Sequence, residues 1–173
     1  MAEGGRVDRS RPLNFVFNGK AYQGFGGDTL ASALLANGER VVSRSFKFHR
    51  PRGVLSAGVE ETNALVGVDW GRGMLPMVRA TLMPLIDGLR TESQNCFPSV
   101  NFDLLRVLDY TRPLWPAGFY NKVFKWPNWH AFEWAIRQTA GLGRLPDGVD
   151  VARYDHMNVH CDVLIVGAGV AGL

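Results

Sequence analysis

Alternation is the first pattern the chain shows. Leu13, Phe15 and Phe17 alternate with Asn14 and Val16, Asn18-Gly19 follows, and Lys20-Ala21-Tyr22-Gln23 resumes an extended run. Asn-Gly between two such runs predicts a tight hairpin, because both central residues of the favoured turn take positive φ. The period then lengthens to that of a helix. Asp28 is read as the N-cap of the run from Thr29 to Ala36, Leu30, Ala33 and Leu34 form its apolar stripe, and Asn37-Gly38 is placed to end it. Val41-Val42, Ala64 to Val68 and Val78 to Leu82 are the remaining strand candidates, the last weakened by Pro84 close behind.

A hairpin, a short helix and further strands, in that order, predict an α+β domain of β-grasp type over residues 12–95, behind a disordered tail at 1–11. From residue 96 the pattern changes. Trp115, Trp126, Trp129 and Trp134 are interleaved with Tyr110, Phe119, Tyr120, Phe124 and Phe132, while Pro113, Pro116 and Pro127 break any long helix. Trp129, Phe132 and Ile136 are spaced for one face of a helix that starts after Asn128 and ends at Gly141. The segment 96–158 is therefore read as an aromatic-rich connection that packs against other surfaces; a stacking platform for a sugar or nucleotide is the other use of such residues.

Composition narrows the class without naming it. The chain has 173 residues, 46% hydrophobic and 11% aromatic, which excludes disorder throughout. A net charge of +3 permits acidic partners without requiring them. Cys96 and Cys161 lie far apart with no metal-ligand spacing, so they are read as reduced thiols. The start is polar with no apolar core behind it, and no apolar run approaches the roughly 20 residues of a membrane span. The expectation is a cytoplasmic protein with no membrane partner.

Two stretches carry candidate chemistry. In the loop 40–52, Arg40, Arg44, Lys47, Arg50 and Arg52 surround Phe46, Phe48 and His49 with no acid among them. A stand-alone module that stacks single-stranded nucleic acid on the phenylalanines is one reading. The plainer one is a solvated loop packed by its two rings, with His49 at the surface. The second stretch is Cys161-Asp-Val-Leu-Ile-Val166, an apolar run of the kind found in a buried parallel strand, running into Gly167-Ala-Gly169-Val-Ala-Gly172. The spacing is GxGxxG. Gly167 serves the tight turn, Gly169 the approach of backbone to a pyrophosphate and Gly172 the packing of helix on strand, so residues 159–173 predict the first strand and Gly-rich turn of a truncated Rossmann-type α/β domain. The acidic ribose-binding residue expected about 20 residues further on is not in the chain.

Six blocks together resemble a known family: GDTLASALLANG (27–38), RSFKFHRPRGVLSAG (44–58), EETNALV (60–66), PAGFYNKVFKWP (116–127), AGLGRLPD (140–147) and HCDVLIVGAGVAGL (160–173). In this order they resemble the N-terminal part of the alpha subunits of heterotetrameric sarcosine oxidases. The resemblance implies a fragment of an enzyme that oxidatively demethylates sarcosine to glycine, with oxygen as acceptor and tetrahydrofolate taking the one-carbon unit. It further implies NAD bound by Gly167, Gly169 and Gly172, with FAD and FMN elsewhere in the complex, and beta, gamma and delta subunits as partners. It implies neither nucleic-acid binding nor catalytic residues in this stretch, and the 173 residues alone are expected to be inactive.

The β-grasp portion also resembles the plant-type [2Fe-2S] modules of amine and opine dehydrogenases, which is the alternative assignment. Laid on Pro51-Arg52-Gly53, their C-x4-C-x2-C ligand positions become Ser56, Glu61 and Ala64, and the fourth becomes Thr81. None is a thiolate, so the resemblance implies a retained scaffold with no iron-sulfur cluster and no bound metal.

Overall fold

The computed structural model describes residues 5–69, 71, 73–114, 118, 124, 126–139 and 155–167. Strands β1 (Asp8–Phe17) and β2 (Lys20–Gly26) form the hairpin, with Asn18 at φ 52° and Gly19 at φ 78° in the turn. The strand starts at Asp8, inside the segment read from sequence as a tail, because Asp8 pairs with Gly26 across a bulge before the register resumes at Pro12 and Phe25.

Helix α1 (Leu30–Ala36) follows, and its N-cap is Thr29 rather than Asp28. Thr29 Oγ1 accepts from Ser32 N while Ser32 Oγ accepts from Thr29 N, a reciprocal capping box. Asp28 is occupied one step earlier, accepting from Phe25 N and from Ser32 Oγ. Two free donors of the first turn find tertiary carbonyls: Leu30 N donates to Met83 O and Ala31 N to Ala80 O.

A two-stranded ribbon, β3 (Ser43–Arg44) with β4 (Pro51–Arg52), brackets the basic loop. The extended pairing begins at Ser43, one step beyond the expected Val41-Val42, whose Val42 is buried instead and donates to Arg52 O. Then come β5 (Leu65–Asp69), β6 (Met74–Arg79) and β7 (Leu89–Ser93). The expected Val78 to Leu82 strand lies earlier, because Leu82 and Met83 fold back to bond Arg79 O in a turn.

The sheet order is β2-β1-β7-β5-β6, with β1 and β7 parallel and the other pairs antiparallel. Parallel strands cannot be joined by a hairpin. The chain therefore leaves at β2, covers one face with α1, and returns through β5 and β6 before β7 slots in beside β1. Phe15, Phe17, Leu30, Leu34, Val66, Val68 and Leu89 make the core between helix and sheet. This is the expected β-grasp arrangement.

Beyond the sheet, α2 (Val107–Tyr110) follows a turn of 3-10 helix, and α3 (Trp129–Thr139) starts where the sequence predicts, with Asn128 Oδ1 accepting from Ala131 N. Phe132 in α3 meets Phe124 at 5.1 Å between ring centroids. Residues 155–167 contain no strand or helix. The run expected as a buried parallel strand is exposed at Val163 to Val166, because no described strand pairs with it.

Burial separates two adjacent leucines. Leu34 is fully buried and Leu35 is 47% exposed. Leu34→Ala is expected to cost about 2–5 kcal/mol in urea unfolding and Leu35→Ala under about 0.5 kcal/mol; equal losses would contradict the placement of α1.

Candidate functional site

The loop from Val54 to Ala64 contains the first three positions aligned with cluster ligands. Its interior holds a carboxylate. Glu61 is fully buried, and its Oε2 accepts from Leu55 N at 2.7 Å and Ser56 N at 2.8 Å. Its Oε1 accepts from Asn63 N at 2.6 Å and Ala64 N at 2.9 Å. Thr81, the fourth position, donates its hydroxyl to Gly58 O at 2.7 Å, tying the next turn onto the loop. Arg79 Nε donates to the main-chain oxygen of Glu61 at 3.0 Å. Ser56 Oγ is buried and finds no hydrogen-bond partner among the described residues.

Burial raises the Glu61 pKa, and the N–H groups of Ser56, Ala64, Asn63 and Leu55 more than reverse that, bringing it from 4.5 down to about 2. A [2Fe-2S] centre needs four thiolates. Ser56, Glu61, Ala64 and Thr81 supply none, and the inward-facing amides are already taken by Glu61. The residues present do not fit the cluster.

A second polar assembly joins the basic loop to the segment after β7. Arg44 is buried, its Nε donating to Val100 O and its Nη1 to His49 O, both at 2.7 Å. Its Nε lies 3.7 Å from Asp103 Oδ2. His49 is completely buried, contrary to the surface position expected for it, with Nδ1 at 2.8 Å from the same Asp103 oxygen. Facing a carboxylate, Nδ1 carries the proton and donates. The other oxygen of Asp103 accepts from Phe97 N and Leu105 N. Around the loop's rim, Arg50 donates through Nε and Nη2 to Asp109 Oδ1, at 2.9 and 2.6 Å.

Asp103 and Asp109 thus pair with two of the five cations of a loop that has no acid of its own. They also bind the start of the 96–158 segment to the β-grasp unit. Neither Asp103 nor His49 stands out in sequence, since the pairing spans 54 positions.

The Gly-rich stretch is described only in part. Gly167 has φ +105°, and a Cβ there would meet nothing within 4 Å. Gly169 and Gly172 lie outside the described residues. Among the described residues no group of three or more His, Cys, Asp or Glu is placed to hold a metal, and no helix is long and apolar enough to cross a membrane.

Three outcomes follow from these carboxylates. A group whose pKa is lowered on folding stabilises fully above its unfolded value and loses that contribution as pH falls through its folded value. Glu61→Gln should therefore cost about 3 kcal/mol near neutral pH, and the gap to wild type should close as pH falls from 4.5 toward 2, read by urea unfolding at each pH. Asp103→Ala, which strands a buried arginine, should cost about 3–5 kcal/mol. Asp109→Ala, which frees a half-exposed pair, should cost far less than that.

Comparison with known proteins places these features. The chain is 49% identical over 172 residues to sarcosine oxidase subunit alpha of Rhizobium meliloti (strain 1021), covering 98% of this chain and 17% of that protein. It is 37% identical over 171 residues to sarcosine oxidase subunit alpha of Corynebacterium sp. (strain P-1), covering 97% of this chain and 13% of that protein. The chain thus spans less than a fifth of the length of these curated relatives, matching their N-terminal part. Among solved structures, L-proline dehydrogenase from P. horikoshii overlaps 53% of this chain and 17% of its own, with TM-score 0.42 and 24% identity. The 2Fe-2S iron-sulfur cluster binding domain family matches residues 10–96, from the start of the hairpin through β7. The chain belongs to that family.

Proposed function

We propose that this chain is the N-terminal portion of the alpha subunit of a heterotetrameric sarcosine oxidase. The parent complex is an oxidoreductase that demethylates sarcosine to glycine, passes electrons to oxygen and hands the one-carbon unit to tetrahydrofolate. The observation that carries this reading is 49% identity extended over 98% of the chain, a span that takes in the β-grasp domain, the aromatic segment and the Gly-rich run.

In this reading the β-grasp domain is a scaffold. Residues 159–173 open a Rossmann-type domain that binds NAD, with Gly167, Gly169 and Gly172 around the pyrophosphate and the apolar Val163 to Val166 covered by neighbouring strands. The positive φ of Gly167 supports the turn role, being a conformation that glycine takes without strain. FAD and FMN belong to the parent complex, the beta, gamma and delta subunits are the partners, and the setting is cytoplasmic. Against the nucleic-acid alternative, Arg44 is buried and Arg50 is held by Asp109, which removes two cations from the surface that loop 40–52 would need.

A chimera tests the proposal. Replacing the matching N-terminal segment of the Rhizobium meliloti subunit by this chain, with its partner subunits co-expressed, should retain assembly and sarcosine-dependent peroxide formation within about tenfold of the parent. The isolated 173-residue chain should show none. A chimera that folds but neither assembles nor turns over sarcosine, or turnover by the isolated chain, contradicts the reading.

A further inference from the structure

Loops that wrap an iron-sulfur centre turn backbone N–H groups inward, because the anionic sulfurs are their acceptors. Without the centre, such donors would be buried and unpaired, and each would cost free energy that opening the loop relieves. In this chain the loop is closed. Four N–H groups, from residues 55, 56, 63 and 64, converge at 2.6–2.9 Å on the two oxygens of one side chain. Two of those donors, Ser56 and Ala64, are themselves at aligned ligand positions, and the acceptor, Glu61, is a third. Thr81 at the fourth closes onto Gly58.

We infer that Glu61 is an internal anion that takes over the organising role of the iron-sulfur cluster, supplying the negative charge on which the loop 54–64 folds. The electrostatics fit that role. Arg79 donates to the main-chain oxygen of Glu61 rather than to its carboxylate, and amide dipoles carry the stabilisation of the charge, as they do around a cluster. The carboxylate is covalently part of the loop, which therefore keeps its shape independently of iron supply and oxidation state. The arrangement separates two duties that a cluster combines: the loop is still ordered, and no redox couple is present in it.

Chemical rescue in the full chain tests the inference. In Glu61→Ala the four amides face a vacated acceptor site, and formate is the smallest carboxylate that could refill it. Amides 55, 56, 63 and 64 should exchange hydrogen at least about tenfold faster in Glu61→Ala and in Glu61→Gln than in wild type. Formate should restore protection and melting temperature saturably in Glu61→Ala, but not in Glu61→Gln, whose amide fills the space. Formamide, equal in size and neutral, should restore neither variant. Folding of Glu61→Ala only in the presence of formate supports the inference equally. If it folds in neither condition, the exchange rates of Glu61→Gln decide by the same criterion. Unchanged protection in the variants, equal rescue by formate and formamide, or stoichiometric uptake of iron and sulfide by the wild-type chain on anaerobic reconstitution would overturn it.

Discussion

The parallel pairing of β1 with β7 is the constraint on which the rest depends. Phe15 sits opposite Leu89 and Phe17 opposite Thr91, and side-chain bonds lock the register: Thr91 Oγ1 donates to Val16 O, Asn18 Nδ2 to Ser93 Oγ, and Ser93 N to Asn18 Oδ1. Two strands lying in the same direction need a long crossover. Everything between the hairpin and β7 is that crossover, and it contains the helix, the basic loop and the Glu61 loop. The path is long and largely irregular, so its backbone polar groups cannot all be satisfied by sheet or helix.

Two buried carboxylates resolve that problem locally. Glu61 takes four amides of the loop that enters β5, and Asp103 takes two amides, an imidazole and part of an arginine where the chain leaves β7. Each does for irregular backbone what a ladder does for a strand. The costs of burial differ in kind. Glu61 is compensated by dipoles alone, whereas Asp103 is compensated by a buried cation as well, which makes Arg44 and Asp103 dependent on each other. That dependence fixes the segment 97–109 to the β-grasp unit, so the structural unit runs past residue 95, where the composition of the chain begins to change.

What was legible in the sequence was local. The hairpin rests on Asn18-Gly19, α1 on a stripe and its ends, and α3 on Asn128 and the Trp129, Phe132, Ile136 spacing; each is decided within a few residues. β7 was missed although Leu89 and Thr91 alternate with Arg90 and Glu92, because five residues with two charges carry little hydrophobic signal until a neighbour on each side is known. His49 was misplaced for a related reason. Its local company is cationic and exposed, and its partner lies 54 positions away. The failure of the thiolate set was readable from Ser56, Glu61, Ala64 and Thr81. That Glu61 fills the gap was not, since a glutamate beside Glu60 looks like solvated surface until the loop closes around it.

A cluster-binding fold with this loop retains geometry and gives up chemistry. A carboxylate has no second oxidation state within reach of a protein, so the loop cannot accept an electron, and its covalent tether means it cannot be lost or exchanged. Leu55 and Val59, at the outside of the same loop, remain exposed. In a cluster protein such a loop tip shields the centre; here it encloses the Glu61 carboxylate. The contribution of these residues is therefore one of shape: a buried Glu61 carboxylate gathers four amides and so holds the outward face of the loop in one conformation.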